Sequence, residues 1–167
     1  WGPHGYTPGV HPLSEISELP FVTKNTEANS VAYWKVFKKH LQPGGMHKQV
    51  HTLMVHTHPA GHLYNTKREV KKLNDLKGLK IRIPNRMVSE ALKIYGGVPV
   101  AGPVTQLRNG LAKGVFDGTG FTDEAVYNFK IGKFIKFVTH IPGGLYNTSF
   151  FGVMNKKAWN KISKADQ

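Results

Sequence analysis

Hydrophobic positions along this chain follow two periods in turn. From Leu73 onward, short runs of strand type are separated by stretches of helical period, with connections of only a few residues. Leu79–Ile83 is a strand-type run stopped by Pro84, and Met87–Tyr95 follows as a helix closed by Gly96-Gly97. Val98–Val100, Val115–Asp117, Phe134–Thr139 and Thr148–Met154 are predicted strands. Pro103–Lys113 and Thr122–Ile131 are predicted helices, and another begins at Lys156. Upstream, the Gly- and Pro-rich stretch Trp1–Pro20 reads as irregular. A helix capped by Thr23 or Asn25 runs to about His40, with Val31, Trp34, Phe37 and Leu41 on one side. Pro43-Gly44-Gly45 ends it, and Val50–Thr57 reads as a strand. This alternation predicts an α/β fold with parallel strands and right-handed crossovers. Ligands in open sheets of that kind sit beyond the carboxyl ends of the strands. That singles out Arg82, Pro84 and Asn85, Ala101 and Gly102, Gly118 to Thr122, and His140 to Tyr146.

Composition narrows the class. The 167 residues include 23 Lys+Arg, 10 Asp+Glu and no cysteine, for a net charge of +13. Disulfide scaffolds, thiol nucleophiles and cysteine-ligated metals are therefore excluded. With 40% apolar residues the chain is not a disordered polycation. No apolar run approaches the ~18 residues that span a bilayer. The charge points to an anionic partner, either nucleic acid, an acidic membrane surface or a small acidic solute, or else to a lysine-rich surface serving solubility. The basic clusters (Lys67-Arg68, Lys71-Lys72, Lys130 to Lys136, Lys156-Lys157) have aromatics nearby, but Phe129, Phe134, Phe137 and Trp159 sit at core spacings. On that reading the clusters are solvated surface rather than a nucleic-acid face.

Chemistry-bearing groups are few. Arg82 ends a predicted strand just before a helix, where its planar guanidinium can grip a carboxylate with two parallel hydrogen bonds; a solvated arginine at a sheet edge is the alternative. Six of the nine histidines fall between His40 and His62. His56-x-His58 with His62 could surround a metal, but no acidic or thiol ligand lies nearby and the spacing matches no zinc signature. No GxSxG, Walker A loop or strict GxGxxG occurs. Asp117, before Gly118, reads as a turn residue rather than a general base.

The order of segments is itself specific. Asp75-Leu76-Lys77-Gly78-Leu79-Lys80-Ile81-Arg82-Ile83-Pro84 is followed by Gly96-Gly97-Val98-Pro99-Val100. Then come Leu111-Ala112-Lys113-Gly114-Val115-Phe116-Asp117-Gly118, Phe129-Lys130, and Val153-Met154-Asn155-Lys156-Lys157-Ala158-Trp159. Gly5-Tyr6-Thr7-Pro8-Gly9 and Glu18-Leu19-Pro20-Phe21 fit the same pattern. Across essentially its whole length the chain resembles the DctP-type extracytoplasmic solute-binding subunits of tripartite ATP-independent periplasmic (TRAP) transporters.

That resemblance implies a two-lobed periplasmic binding protein closing on its solute like a hinge. It is a receptor without catalytic residues or cofactor, binding a small organic acid and handing it to membrane permease subunits. Arg82 matches the family's carboxylate-binding arginine, and Arg68 lies near a second basic ligand found in some members. Phe121 stands where many members carry asparagine, which favours a less polar carboxylate such as a 2-oxo or aromatic acid over sialic acid or a C4-dicarboxylate. Tyr6, His58 in the His56–His62 loop, Tyr146 and Asn147 are cleft residues by position. The mapping gives one lobe from residues 1–57 with 148–167 and another from about 58–147. The resemblance also implies an architecture incomplete at both termini, an interior fragment whose exposed apolar faces favour self-association. The rival readings are a basic nucleic-acid-binding module and a His-based metal-dependent enzyme.

Overall fold

The structure, a computed structural model, describes residues 1–22 and 25–167. In chain order the elements are β1 (Gly2–Pro3), α1 (Thr26–Val36), β2 (Val50–Thr57), β3 (His62–Asn65), β4 (Lys80–Ile83), α2 (Arg86–Ile94) and β5 (Val98–Ala101). They continue with α3 (Val104–Ala112), β6 (Gly118–Phe121), α4 (Asp123–Asn128), β7 (Phe137–Thr139), β8 (Ser149–Asn155) and α5 (Lys156–Trp159). Asn25 caps α1, its side chain accepting from Ala28 N at 2.9 Å; Thr23 lies outside the described residues. The buried face of α1 and the π-turn after it is Tyr33, Phe37 and Leu41, with Trp34 half-buried. Val31, expected on that face, is exposed: a register led by Tyr33 keeps the large aromatics together and turns Val31 to solvent.

Two sheets result. The first has order β1-β8-β2 and is antiparallel throughout, with β2 and β8 registered from Val50↔Asn155 to Thr57↔Ser149. The second has order β5-β4-β6-β3-β7. In it β4 runs parallel to β5 and β6, while β3 runs antiparallel to β6 and β7. The expectation of all-parallel strands is thus corrected. Parallel pairing is confined to the strands linked through α2 and α3, and the unpredicted four-residue β3 enters in the opposite sense.

Helices cover both faces of the second sheet. Val88 and Leu92 of α2 join Leu63, Leu79, Ile81 and Ile83 in one core; Leu107 and Leu111 of α3 join Tyr64, Phe116, Phe121 and Ile131 in another. A second correction concerns Val115–Asp117, which is not a strand: Val115 is exposed, and the strand is Gly118–Phe121. Asp117 instead docks the chain, accepting from Lys80 N through Oδ2 (2.9 Å) while its own N donates to Lys80 O (2.7 Å). A side chain at Gly118 would stand 2.3 Å from Tyr64 O, so close strand approach requires glycine there.

Candidate functional site: a buried arginine at the strand ends

The carboxyl ends of β4, β5 and β6 lie together, and the antiparallel register adds the start of β3, with His62 opposite Phe121. Arg82 projects here and is 1% exposed. Its Nε donates to Gly102 O (2.8 Å) and its Nη2 to Tyr6 Oη (2.9 Å); Nη1 takes part in neither bond. Tyr6 Oη also accepts from Val104 N (3.1 Å), which pins the phenol between Arg82 and the first turn of α3. Among the described residues no carboxylate pairs with Arg82. A guanidinium removed from water and met only by neutral oxygens is an uncompensated charge.

Tyr146 lies close by. It is 2% exposed, and burial pushes its phenol up while the Arg82 charge acts in the opposite direction. Tyr146 O accepts from Gly61 N (2.9 Å), and a Cβ on Gly61 would fall 2.1 Å from the Tyr146 ring. His58 meets that ring edge-on with centroids 5.2 Å apart, and burial lowers its imidazole. Asn147 is fully buried with both amide atoms unpartnered, although its backbone oxygen accepts from Asn85 Nδ2 (3.4 Å). Unpaired buried polar atoms are costly and call for a bound water or ligand group.

Arg82, Tyr6, Tyr146 and His58 are therefore brought to one region, and Asn147 follows directly on Tyr146. Two other expected residues are placed differently. Arg68 follows the far end of β3, near where β4 begins, and donates to the carbonyls of Asp75 (2.9 Å) and Lys77. That is the opposite edge of the sheet from Arg82. Phe121 is at the correct edge, but its ring is packed into a core with Tyr64, Leu107 and Ile131.

The histidines of the His56–His62 loop turn to different neighbours. His56 stacks on Phe150, whereas His62 turns to His140 (ring centroids 4.5 Å), so His56, His58 and His62 do not converge. His62, Asp123 and His140 bring their ligating atoms within 4.8 Å of one another. However, His62 Nδ1 accepts from Ile141 N (3.2 Å), which leaves the proton of neutral imidazole on Nε2. Neither nitrogen of His62 then offers a free lone pair to a metal. Glu18 was missed as part of the surroundings, because an acid in a Gly/Pro-rich stretch carries no sequence signal for burial.

The family profile described as "Bacterial extracellular solute-binding protein, family 7" (DctP) matches residues 3–167. The chain belongs to this family. Similar solved structures are TRAP periplasmic solute-binding proteins. One, from Bordetella bronchiseptica with bound (R)- and (S)-mandelate, is 34% identical with TM-score 0.93, covering 99% of this chain and 52% of that one. Another, from Rhodoferax ferrireducens with copurified benzoate, is 32% identical with TM-score 0.93, covering 99% and 52%. A marine metagenome protein specific for aromatic acids, with 3-hydroxybenzoate, is 33% identical with TM-score 0.90, covering 98% and 51%. A curated relative, the outer membrane transporter protein TsaT of Comamonas testosteroni, is 27% identical over 98% of this chain and 49% of its own length. The chain thus spans about half the length of these relatives. DctP proteins form a receptor family rather than an enzyme family. No described helix is long and apolar enough to cross a membrane.

Proposed function

We propose that this chain forms the carboxylate-holding part of a periplasmic TRAP receptor for an aromatic acid, which it delivers to membrane permease subunits. The observation that carries the reading is Arg82, a buried cation whose partners are all neutral. A ligand carboxylate would supply the missing counter-charge, and charge-assisted pairs of this kind are about twice as strong as neutral hydrogen bonds. Tyr6 would steady the guanidinium, Tyr146 and His58 would flank the ligand body, and the amide of Asn147 is available for a polar substituent. Residues 1–57 with 148–167 form one lobe and 58–147 the other, so that solute binds where β8 and the His58 loop pass between them. The aromatic class is supported by the mandelate, benzoate and 3-hydroxybenzoate of the similar proteins and by the aromatic rings around Arg82. A thermal-shift panel of aromatic monocarboxylates, aliphatic dicarboxylates and sugar acids tests this: binding to the native state raises the melting temperature by mass action. Stabilisation by the aromatic acids is expected; stabilisation by only the other two groups contradicts the assignment.

A further inference from the structure

The two sheets are joined through a buried carboxylate that the proposed binding role does not use. Glu18 is 1% exposed. Its Oε1 accepts from Ser149 N (2.9 Å) and Ser149 Oγ (2.6 Å), and its Oε2 accepts from Asn85 Nδ2 (2.8 Å). Ser149 opens β8 of the first sheet; Asn85 caps α2 on the second, its Oδ1 accepting from Val88 N at 3.0 Å.

Behind Ser149 lies a line of hydrogen bonds in which every proton can be located. Ser149 gives its only hydroxyl proton to Glu18, so its Oγ accepts at its contact with His4 Nδ1 (3.1 Å). Neutral His4 therefore carries its proton on Nδ1 and leaves Nε2 bare. That nitrogen faces His47 Nε2 at 3.2 Å, which must then be the protonated one. His47 Nδ1 is left as acceptor for Thr52 Oγ1 (3.1 Å). The line runs in one direction, Thr52 to His47 to His4 to Ser149 to Glu18.

The same line satisfies every group in the reverse direction after the uptake of one proton. Thr52 rotates its hydroxyl to accept from His47 Nδ1, His4 Nε2 donates to His47 Nε2, Ser149 donates to His4 Nδ1, and a protonated Glu18 donates to Ser149. Each imidazole passes one proton and gains one, and the added proton ends on the carboxyl group. Both histidines stay neutral in either direction.

We infer that this line is a proton relay that delivers a proton to Glu18 in acid and so removes the buried charge from the clasp between the two sheets. The line meets a groove at His47, one step in from the buried Thr52: His47 lines an open, largely apolar groove of about 640 Å³ together with Val10, Leu13, Leu41 and Phe151. The surroundings favour neutral rings. His11 lies edge-on to His47 (4.9 Å) and to His4 (5.7 Å), Tyr33 lies 6.4 Å from His4, and Phe37 and Phe151 flank His47. Beside Glu18 stand Glu15, itself paired with Arg86 at 3.2 Å, and the phenol of Tyr33, which burial and the Glu18 charge hold protonated. Burial pushes Glu18 up and both imidazoles down, which sends the proton to the carboxyl group.

Nitrogen-15 NMR of the histidine rings in the wild-type chain tests the relay directly. Near neutral pH, His4 should appear as the Nδ1–H tautomer and His47 as the Nε2–H tautomer. On acidification, before unfolding, both should exchange tautomers while remaining neutral, in step with protonation of Glu18 followed by its carboxyl carbon-13 shift. Ser149→Ala, which cuts the line, should abolish the exchange. Imidazolium signals in place of the exchange, the opposite tautomers at neutral pH, or an unaltered exchange in Ser149→Ala would each overturn the proposal.

Discussion

Replacing Gly61 by alanine probes how tightly the binding region is built. The new Cβ would lie 2.1, 2.5 and 2.7 Å from Cε1, Cδ1 and Cζ of Tyr146. Carbon contacts are comfortable near ~3.5 Å, so the ring must withdraw by roughly 1.4 Å. It has little room, since Tyr146 is 2% exposed and a Cβ on Gly120 would already come within 3.0 Å of the same Cε1. Overpacking of this kind costs about 1–3 kcal/mol. Loss of glycine freedom in the unfolded chain returns about 0.4–1 kcal/mol. The net expectation is destabilisation by roughly 1–2 kcal/mol, with weaker ligand binding because Tyr146 is displaced beside Arg82. Urea unfolding of wild type, Gly61→Ala, Tyr146→Leu and the double variant gives the coupling directly. Gly61→Ala should cost under ~0.5 kcal/mol once the ring is gone. Equal cost in both backgrounds, or no cost at all, would refute the close approach of glycine to the ring.

Further outcomes follow from other parts of the structure. Asn85→Ala removes both the α2 cap and a bond to the Glu18 carboxylate, so it should cost at least ~2 kcal/mol in the same unfolding measurement; a loss near zero would contradict the clasp. His4 and His47 are lowered from 6.5 to about 3 and about 4, chiefly by burial, so in acid the unfolded chain takes up their protons first. Their stabilisation is complete above the unfolded value and is lost as pH falls toward the folded ones. At pH 5, about 1.5 pH units below the unfolded value, His4 alone accounts for a loss of about 2 kcal/mol. Glu18, raised, works in the opposite direction and trims that loss. Unfolding at pH 7.5 and 5.0 should show the decline, and an unchanged or increased stability at pH 5.0 would refute it. The apolar groove and the exposed Val10, Leu13 and Ile16 favour self-association, so sedimentation should show larger species as concentration rises; a monomer at all concentrations would count against this.

Much of the second sheet was legible because its signals are local. Pro84, Gly96-Gly97 and Gly114 mark the ends of elements, and α2 and α3 fall within a residue or so of their expected bounds. Strand β6 was hidden since two of its four residues are glycines, fitted to the Tyr64 backbone at Gly118 and to the Tyr146 ring at Gly120 rather than to strand propensity. Strand β3 was hidden because it is four residues long with polar ends, and it is the one strand of the five that runs against the others, between β6 and β7. Arg82 was legible from its place at a strand end, but its neutral surroundings were not: Tyr6 reaches it from 76 residues away in sequence. The Glu18–Ser149 bond spans 131 residues, and no periodicity reports a contact of that range. The net charge of +13 pointed to an anionic partner, yet among the described lysines and arginines Arg82 is the one the fold buries, and the lysine clusters remain at the surface.

The central claim is that Arg82 holds a ligand carboxylate. Isothermal titration of benzoate and mandelate into the wild-type chain and into Arg82→Met tests it most directly, with circular dichroism confirming that the variant is folded. The account predicts measurable binding by the wild type that changes little with salt, and a loss of at least ~100-fold in Arg82→Met, as expected when a charge-assisted pair is removed from a buried site. Unchanged affinity in Arg82→Met, or a wild-type chain that binds neither acid, would contradict it.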